Sequence, residues 1–252
     1  MQCDIGCEKT RIENLIRQGI WSSGTEGVVL GVSGGIDSAV VAALATASLG
    51  SERVCAFFLP SAATPPADEE DVRELCDKLG LELQIIPIDG IIEAYRHMEG
   101  FVDEPYLIGN LMARTRMTML YYQANLRNRL VIGTSNRTEY LIGYCTKWGD
   151  NAADLQPILH LSKKEIYILG EELEMPDPIM KKEPSAGLWH GQNDEKEIGI
   201  SYAELDSALA FLEENNWKAE NTIQEKVLAL VKKSAHKRLP ALSLAGTDPR
   251  SP

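Results

Sequence analysis

The stretch covering residues 28–38, VVLGVSGGIDS, limits what this chain can fold into more than any other. Val28, Val29, Leu30 and Val32 form an apolar run rich in β-branched residues, which reads as a buried strand. The run breaks at Ser33-Gly34-Gly35 and resumes as an apolar helix from Ile36. Strand, glycine turn and helix together aim backbone N–H groups and a helix N-terminus at an anion. Gly34 and Gly35 lack a Cβ, so backbone can approach a phosphate closely, and Ser33 and Ser38 add hydroxyl donors. No Gly-Lys-Ser/Thr follows, so this is not a Walker A loop. Asp37 stands where that loop has its lysine. An acid beside bound phosphate is repulsive unless a cation lies between them, so the sequence asks for Mg²⁺. Taken alone, the turn also reads as a tight strand–helix connection, with Asp37 favoured by the helix dipole.

The remaining strands and helices follow in alternation. Residues 8–19 read as a helix with Ile12, Leu15 and Ile16 on one face. Residues 36–49 form the first crossover helix, closed by Gly50. Residues 54–59, VCAFFL, make a second strand, and residues 60–66 a proline-rich loop. Residues 68–79 make a helix with Val72, Leu75, Cys76 and Leu79 inward and Gly80 as its stop. A strand over 83–88, a long helix over 106–127 and a short strand over 130–133 complete the pattern. Apolar residues run nearly all round the long helix, which should therefore be buried on several sides.

Strands alternating with helices imply an α/β fold, a Rossmann-like parallel sheet flanked by helices, here with a helical C-terminal extension. Such sheets bind ligands at the carboxyl ends of their strands. Residues 33–37, 60–68, Asp89 and 134–139 all fall there and should converge. In the second half, Ser162 and Glu165 form a capping box opening a helix to about Leu173. Residues 175–199 are rich in proline and glycine yet hold Trp189 and His190, so 182–199 is expected to be a functional, mobile loop. Ser201 and Glu204 cap another helix. Residues 222–233 form an amphipathic one with Ile223, Val227, Leu230 and Val231 aligned, and residues 240–252 read as a tail. One domain of 252 residues, 1–252, accommodates all of this.

Composition excludes some classes. A net charge of −12 argues against a long nucleic-acid footprint, though not against a locally basic pocket. No apolar run approaches the roughly 18 residues of a membrane span, and residues 1–10 do not read as a leader. Cys3, Cys7, Cys55, Cys76 and Cys145 are an odd, scattered set, as expected of reduced thiols in a cytoplasmic protein. Cys3 and Cys7 have the spacing of half a metal site, but no second pair has ligand spacing. Cys55 and Cys76 sit in apolar stretches and should be buried.

Three further stretches can carry chemistry. GNLMARTRM places Arg114 and Arg116 in a mostly apolar helix. Both can snorkel to solvent, or one can hold a phosphate or carboxylate bidentately. GTSNRTE follows the last strand, with Thr134 at the strand end. Glu139 there is either a solvated helix acid or a partner of Asp37 around one cation. GYCTKWGDNAADLQPI holds Lys147 and Asp154 in a polar, glycine-containing segment that alone would pass for a surface loop.

The string SGGIDS resembles the pyrophosphate-binding loop of the ATP pyrophosphatases, which adenylylate a substrate and release pyrophosphate. VSGGIDSA, GNLMARTRM, GTSNRTEYLIGYCTKWGD with a following AADLQPI, and PSAGLWHGQNDEKEIGISYAELD occur in that order. Together they resemble NAD synthetases over roughly residues 10–240. That resemblance implies ATP-dependent amidation of deamido-NAD⁺ by ammonia, releasing AMP and pyrophosphate. It implies that Gly31, Val32, Ser33, Gly34, Gly35, Ile36, Asp37 and Ser38 hold the ATP phosphates. Thr134, Lys163 and Ser185 would also contact ATP. Asp37 and Glu139 would bind Mg²⁺. Arg114, Lys147, Asp154, His236 and Lys237 would contact deamido-NAD⁺, and Asp37, Lys163 and Glu139 would be catalytic. The family often has Thr at the position of Ser185 and Gly-Gly where this chain has Asn151-Ala152.

The resemblance further implies a homodimer with the dinucleotide at its interface. Two alternatives stay open. An RNA-thiolating or lysidine-forming relative would want basic surface or paired CxxC motifs, which the sequence does not offer. A nucleotide-binding regulator without catalysis would not need Asp37, Glu139 and Lys163. Only about thirty residues precede the phosphate loop, fewer than a glutaminase domain needs, so the expected nitrogen donor is free ammonia.

Overall fold

Residues 5–241 are described by a computed structural model, so Cys3 and the tail beyond residue 241 lie outside the described residues. Helix α1 (Ile5–Ser23) leads into strand β1 (Val28–Gly31) and helix α2 (Ile36–Leu49). Strand β2 (Val54–Phe58), helix α3 (Pro66–Leu79), strand β3 (Leu83–Ile85) and helix α4 (Asp89–Arg96) follow. Then come helix α5 (Pro105–Leu126), strand β4 (Leu130–Ile132) and helix α6 (Arg137–Ile142). Helices α7 (Lys163–Glu172), α8 (Asp177–Lys181) and α9 (Asp194–Ile198) lead to α10 (Tyr202–Glu214), α11 (Thr222–Lys233) and α12 (Ala235–Arg238).

The sheet is parallel in the order β3-β2-β1-β4, with Leu30 opposite Ala56 on one side and Ile132 on the other. Successive strand side chains point to opposite faces, so both faces must be covered for strands this apolar. Val28, Leu30, Ala56, Phe58 and Ile132 pack with α1, α2, α3 and α7. Val29, Phe57 and Val131 pack instead with α4 and α5. A separate apolar cluster joins α6, α10 and α11 through Ile142, Leu205, Leu209, Leu212 and Val227. The C-terminal helices are thus a second small core docked beside the carboxyl ends of the strands.

The structure departs from the sequence reading in several places. Helix α1 buries Ile12, Ile16 and Ile20 at i, i+4 spacing, which turns Leu15 outward at 43% exposed. Strand β3 stops at Ile85, although the Ile86 and Ile88 N–H groups still bond to Phe58 O and Pro60 O. Helix α4 was not anticipated. Residues 175–199 are no structureless loop, since they contain α8 and α9. In this single chain Tyr106, Leu107, Tyr122 and Leu126 leave one side of α5 exposed. Ile223 is likewise exposed, while Val227 and Val231 of α11 are buried. Cys76 is buried and Cys55 only partly. Among the described residues no helix is long and apolar enough to cross a membrane.

Candidate active site

A cleft of about 600 Å³ opens at the carboxyl ends of the strands, lined by the β1–α2 loop, residues 63–65, the start of α6 and the segment before α9. The β1–α2 turn is held from within. Ser38 Oγ lies 3.1 Å from Ser33 Oγ, accepts from Ser33 N–H and donates to Gly35 O. Ser33 Oγ accepts from Gly35 N–H. Gly34 sits at φ +78°, where a Cβ would crowd the Lys182 ammonium and the Asp68 backbone. The glycine requirement read from the sequence therefore has a local cause.

Asp37 and Glu139 do converge, and Lys163 stands between them. The Lys163 ammonium is 2.5 Å from Asp37 Oδ2 and 3.2 Å from Glu139 Oε1. Lys163 is only 3% exposed. Asn136, the N-cap of α6, donates from Nδ2 to Asp37 Oδ1 at 2.9 Å, and its Oδ1 accepts from Glu139 N–H. Burial alone would lower the Lys163 pKa, but Asp37 and Glu139 outweigh it and hold the ammonium charged. Burial pushes Glu139 up to about 7, with Lys163 opposing the rise and Asp37 adding to it.

A second network joins this triad to the segment before α10. Tyr202 OH lies 3.2 Å from Glu139 Oε1 and 3.1 Å from Asp194 Oδ2, so one phenolic proton is shared between two carboxylates. Asp194 also accepts from Tyr144 OH and from Ala186 N–H. Burial raises the Asp194 pKa against these hydrogen bonds. Burial and then the neighbouring acids raise both tyrosines well above the ordinary phenol range. Both phenols therefore stay donors.

The other expected site residues fall in three places. Thr134, Ser185 and Lys237 line the cleft. Lys237 Nζ donates to Gly143 O and Cys145 O, and Ser185 Oγ accepts from Gly187 N–H. Arg114, Lys147 and His236 lie together outside the cleft lining. Arg114 donates to Lys147 O, and Lys147 Nζ reaches His236 O at 2.5 Å. Asp154 accepts from Val131 N–H at 2.8 Å and from Tyr121 OH, tying its loop to β4. Asp89, expected in the cleft, instead accepts from Ala62 N–H and braces the loop after β2.

Sequence reasoning missed Asn136, Asp194, Tyr202 and the choice of Arg116. The Arg116 guanidinium is the buried one, donating to Leu59 O at 2.9 Å and lining the cleft. Burial lowers its pKa, with Asp150 and Asp89 opposing the shift. Only the N-cap character of Asn136 was visible as a signal. The site sets two carboxylates against the single ammonium of Lys163, a net negative cluster that a further cation would balance, beside the N-terminus of α2.

The family model described as NAD synthase matches residues 8–241. An NH(3)-dependent NAD(+) synthetase from Methanoregula boonei is 51% identical over 244 residues, spanning 97% of this chain and 98% of that one. The solved NMN synthetase from Francisella tularensis superposes with a TM-score of 0.88 at 36% identity, covering 97% of this chain and 100% of that one. An NH3-dependent NAD synthetase from Campylobacter jejuni, solved with nitrate, gives 0.82 at 34% identity, covering 96% and 100%.

Proposed function

The chain belongs to the NAD synthase family, and we propose that its cleft joins ammonia to the nicotinate carboxylate of deamido-NAD⁺ at the expense of ATP. The observation that carries this reading is the Asp37–Lys163–Glu139 cluster at the ends of β1 and β4, opening into the cleft beside a phosphate-type loop. A carboxylate is a poor acyl donor because its oxygen leaves badly. In the first step a carboxylate oxygen attacks the α-phosphorus of ATP and the bond to pyrophosphate breaks. In the second, ammonia adds to the acyl carbon and AMP departs with that oxygen, leaving the amide of NAD⁺.

Each residue's position supports a role in this reaction. The first turn of α2, entered from the β1–α2 loop, would offer its N–H groups to the phosphates, and Ser185 and Thr134, which both line the cleft, would add hydroxyls. Lys163, already charged, meets the negative charge that grows on pyrophosphate. Asp37 and Glu139 fit a magnesium ion, because both carboxylates already face one cation and such an ion takes one or two carboxylates plus substrate phosphates. When bound, Mg²⁺ neutralises charge on the phosphates. Residues 182–199, anchored through Asp194, would order over ATP as it binds.

A homodimer is part of the reading. Tyr106, Asn110, Arg114, Thr118, Tyr122 and Leu126 recur every fourth residue of α5 and so form one ridge. Its apolar members are exposed, and Arg114 stands at its middle beside Lys147 and His236. A second copy packed on that ridge would bring its surface to these three residues, where the dinucleotide would bind. The free cysteines suit a cytoplasmic location.

The test is incubation with ATP, Mg²⁺, ammonium chloride and deamido-NAD⁺, with chromatography for NAD⁺, AMP and pyrophosphate. A parallel arm offers nicotinic acid mononucleotide. Equal yields of the three products are expected, with Asp37→Asn slower by at least about 100-fold. No amide from either acid would overturn the reading, and faster amidation of the mononucleotide would move the substrate.

A further inference from the structure

The first turn of α7 carries Lys163, and its N–H groups find acceptors on the helix's own N-cap and on two other helices. Ser162, the N-cap, takes the Glu165 N–H. Thr138 of α6 takes the Lys163 N–H through its hydroxyl oxygen at 3.2 Å. Asp206 of α10 takes the Lys164 N–H through Oδ2 at 2.9 Å. The other oxygen of the same carboxylate accepts the Thr138 hydroxyl proton. One Asp206 carboxylate thus bridges α6, which bears Glu139, and α7, which bears Lys163. It reaches them from a helix whose own apolar face belongs to the separate C-terminal core.

We propose that Asp206 is a positioning residue, which fixes the spacing of Lys163 and Glu139 by clamping the α7 N-terminus to Thr138 of α6. A carboxylate at a helix N-terminus accepts otherwise unpaired N–H groups and complements the positive end of the helix dipole. Lys163 is the first residue of α7, so its backbone position depends directly on that anchorage. Its ammonium must meet two carboxylates at 2.5 and 3.2 Å, and a helix end free to shift by an ångström would lose one of them. Asp206 hydrogen-bonds to Thr138 and Lys164 and does not line the cleft, so it acts through Lys163. Docking of the C-terminal helices is thereby linked to the geometry of the reacting end of the site.

This inference rests on the reading above for its kinetic test, but not for its structural one. In the kinetic test Asp206→Ala is combined with Lys163→Met in a double-mutant cycle, with NAD⁺ formation followed over hours. Asp206→Ala alone is expected to lower kcat by about 10- to 100-fold, as misplaced catalytic groups do, with KM for deamido-NAD⁺ unchanged. In the Lys163→Met background the same change should cost less than about threefold, because the group it positions has gone. Asp206→Asn keeps one acceptor and should recover part of the rate. It replaces the alanine variant in the cycle if that variant does not fold. Losses that multiply across the cycle, or an Asp206→Ala enzyme with unchanged kcat, would overturn the proposal. Native-state hydrogen exchange supplies the readout independent of turnover. The Lys163 and Lys164 amides should exchange at least about tenfold faster in Asp206→Ala, while amides of the sheet stay protected. Unchanged protection at those two amides would overturn it, whether or not the wild type makes NAD⁺.

Discussion

Replacing Lys163 by Met should destabilise the metal-free protein while leaving its packing volume nearly intact. At separations of 2.5 and 3.2 Å, an effective dielectric of about 20 gives gross attractions of about 7 and 5 kcal/mol to Asp37 and Glu139. Taking these three ions out of water costs several kcal/mol each, so the intact cluster contributes little net stability. Removing its only cation is different, because two half-buried carboxylates then lose the charge between them, and Glu139, already pushed up to about 7 against the pull of Lys163, must take up a proton. Breaking a buried ion pair in this way costs about 3–5 kcal/mol. For a chain of this size that corresponds to a fall of about 6–20 °C in melting temperature. Urea denaturation and thermal melts, both in EDTA, measure it. Adding Mg²⁺ at millimolar concentration should restore more stability to Lys163→Met than to the wild type, since the ion replaces the lost positive charge. A Lys163→Met protein within about 1 kcal/mol of wild type in EDTA would refute the reasoning, because the carboxylates would then not depend on the lysine.

Other outcomes follow from the same geometry. Gly143 ends α6 at φ +72° with Ser234 packed against its Cα, so Gly143→Ala should cost about 2–4 kcal/mol in urea denaturation from backbone strain plus overpacking. Burial pushes Cys145 up to about 12 and Cys76 up to about 11, so both stay protonated at pH 7; iodoacetamide should label exposed Cys7 well before either, as read by peptide mass spectrometry. Limited proteolysis should cut within residues 182–199 of the free protein and be slowed when an ATP analogue and deamido-NAD⁺ are both present; equal cutting would count against a closing segment.

What the sequence made legible was local. The β1–α2 turn, the Gly80 stop of α3 and the capping boxes at Ser162 and Ser201 each rest on residues within four positions, and each stands where its pattern puts it. The convergence of Asp37 with Glu139 was also legible, because both follow the carboxyl ends of strands in a parallel sheet, and the pairing of β1 with β4 then sets those ends side by side. Links between distant segments were not. Lys163 lies 126 positions from Asp37, and Asn136 lies 99. Tyr202, 63 positions from Glu139, looked like an ordinary first-turn helix residue. Arg114 and Arg116 could not be separated by composition. Two positions apart on a helix they face different ways, and Arg116 is the one turned inward to Leu59 O, just past the end of β2. Helix α4 escaped because its eight residues, DGIIEAYR, give too short a window for a period to emerge.

The central claim is that ATP activates the nicotinate carboxylate by adenylylation in the cleft above Asp37, Lys163 and Glu139. Deamido-NAD⁺ labelled with ¹⁸O in that carboxylate tests it most directly. After turnover with ATP, Mg²⁺ and ammonium, AMP and any inorganic phosphate are examined by mass spectrometry. The account predicts one ¹⁸O in the phosphate of each AMP, with pyrophosphate unlabelled. Label in inorganic phosphate beside ADP, or NAD⁺ formed alongside unlabelled AMP, would contradict it.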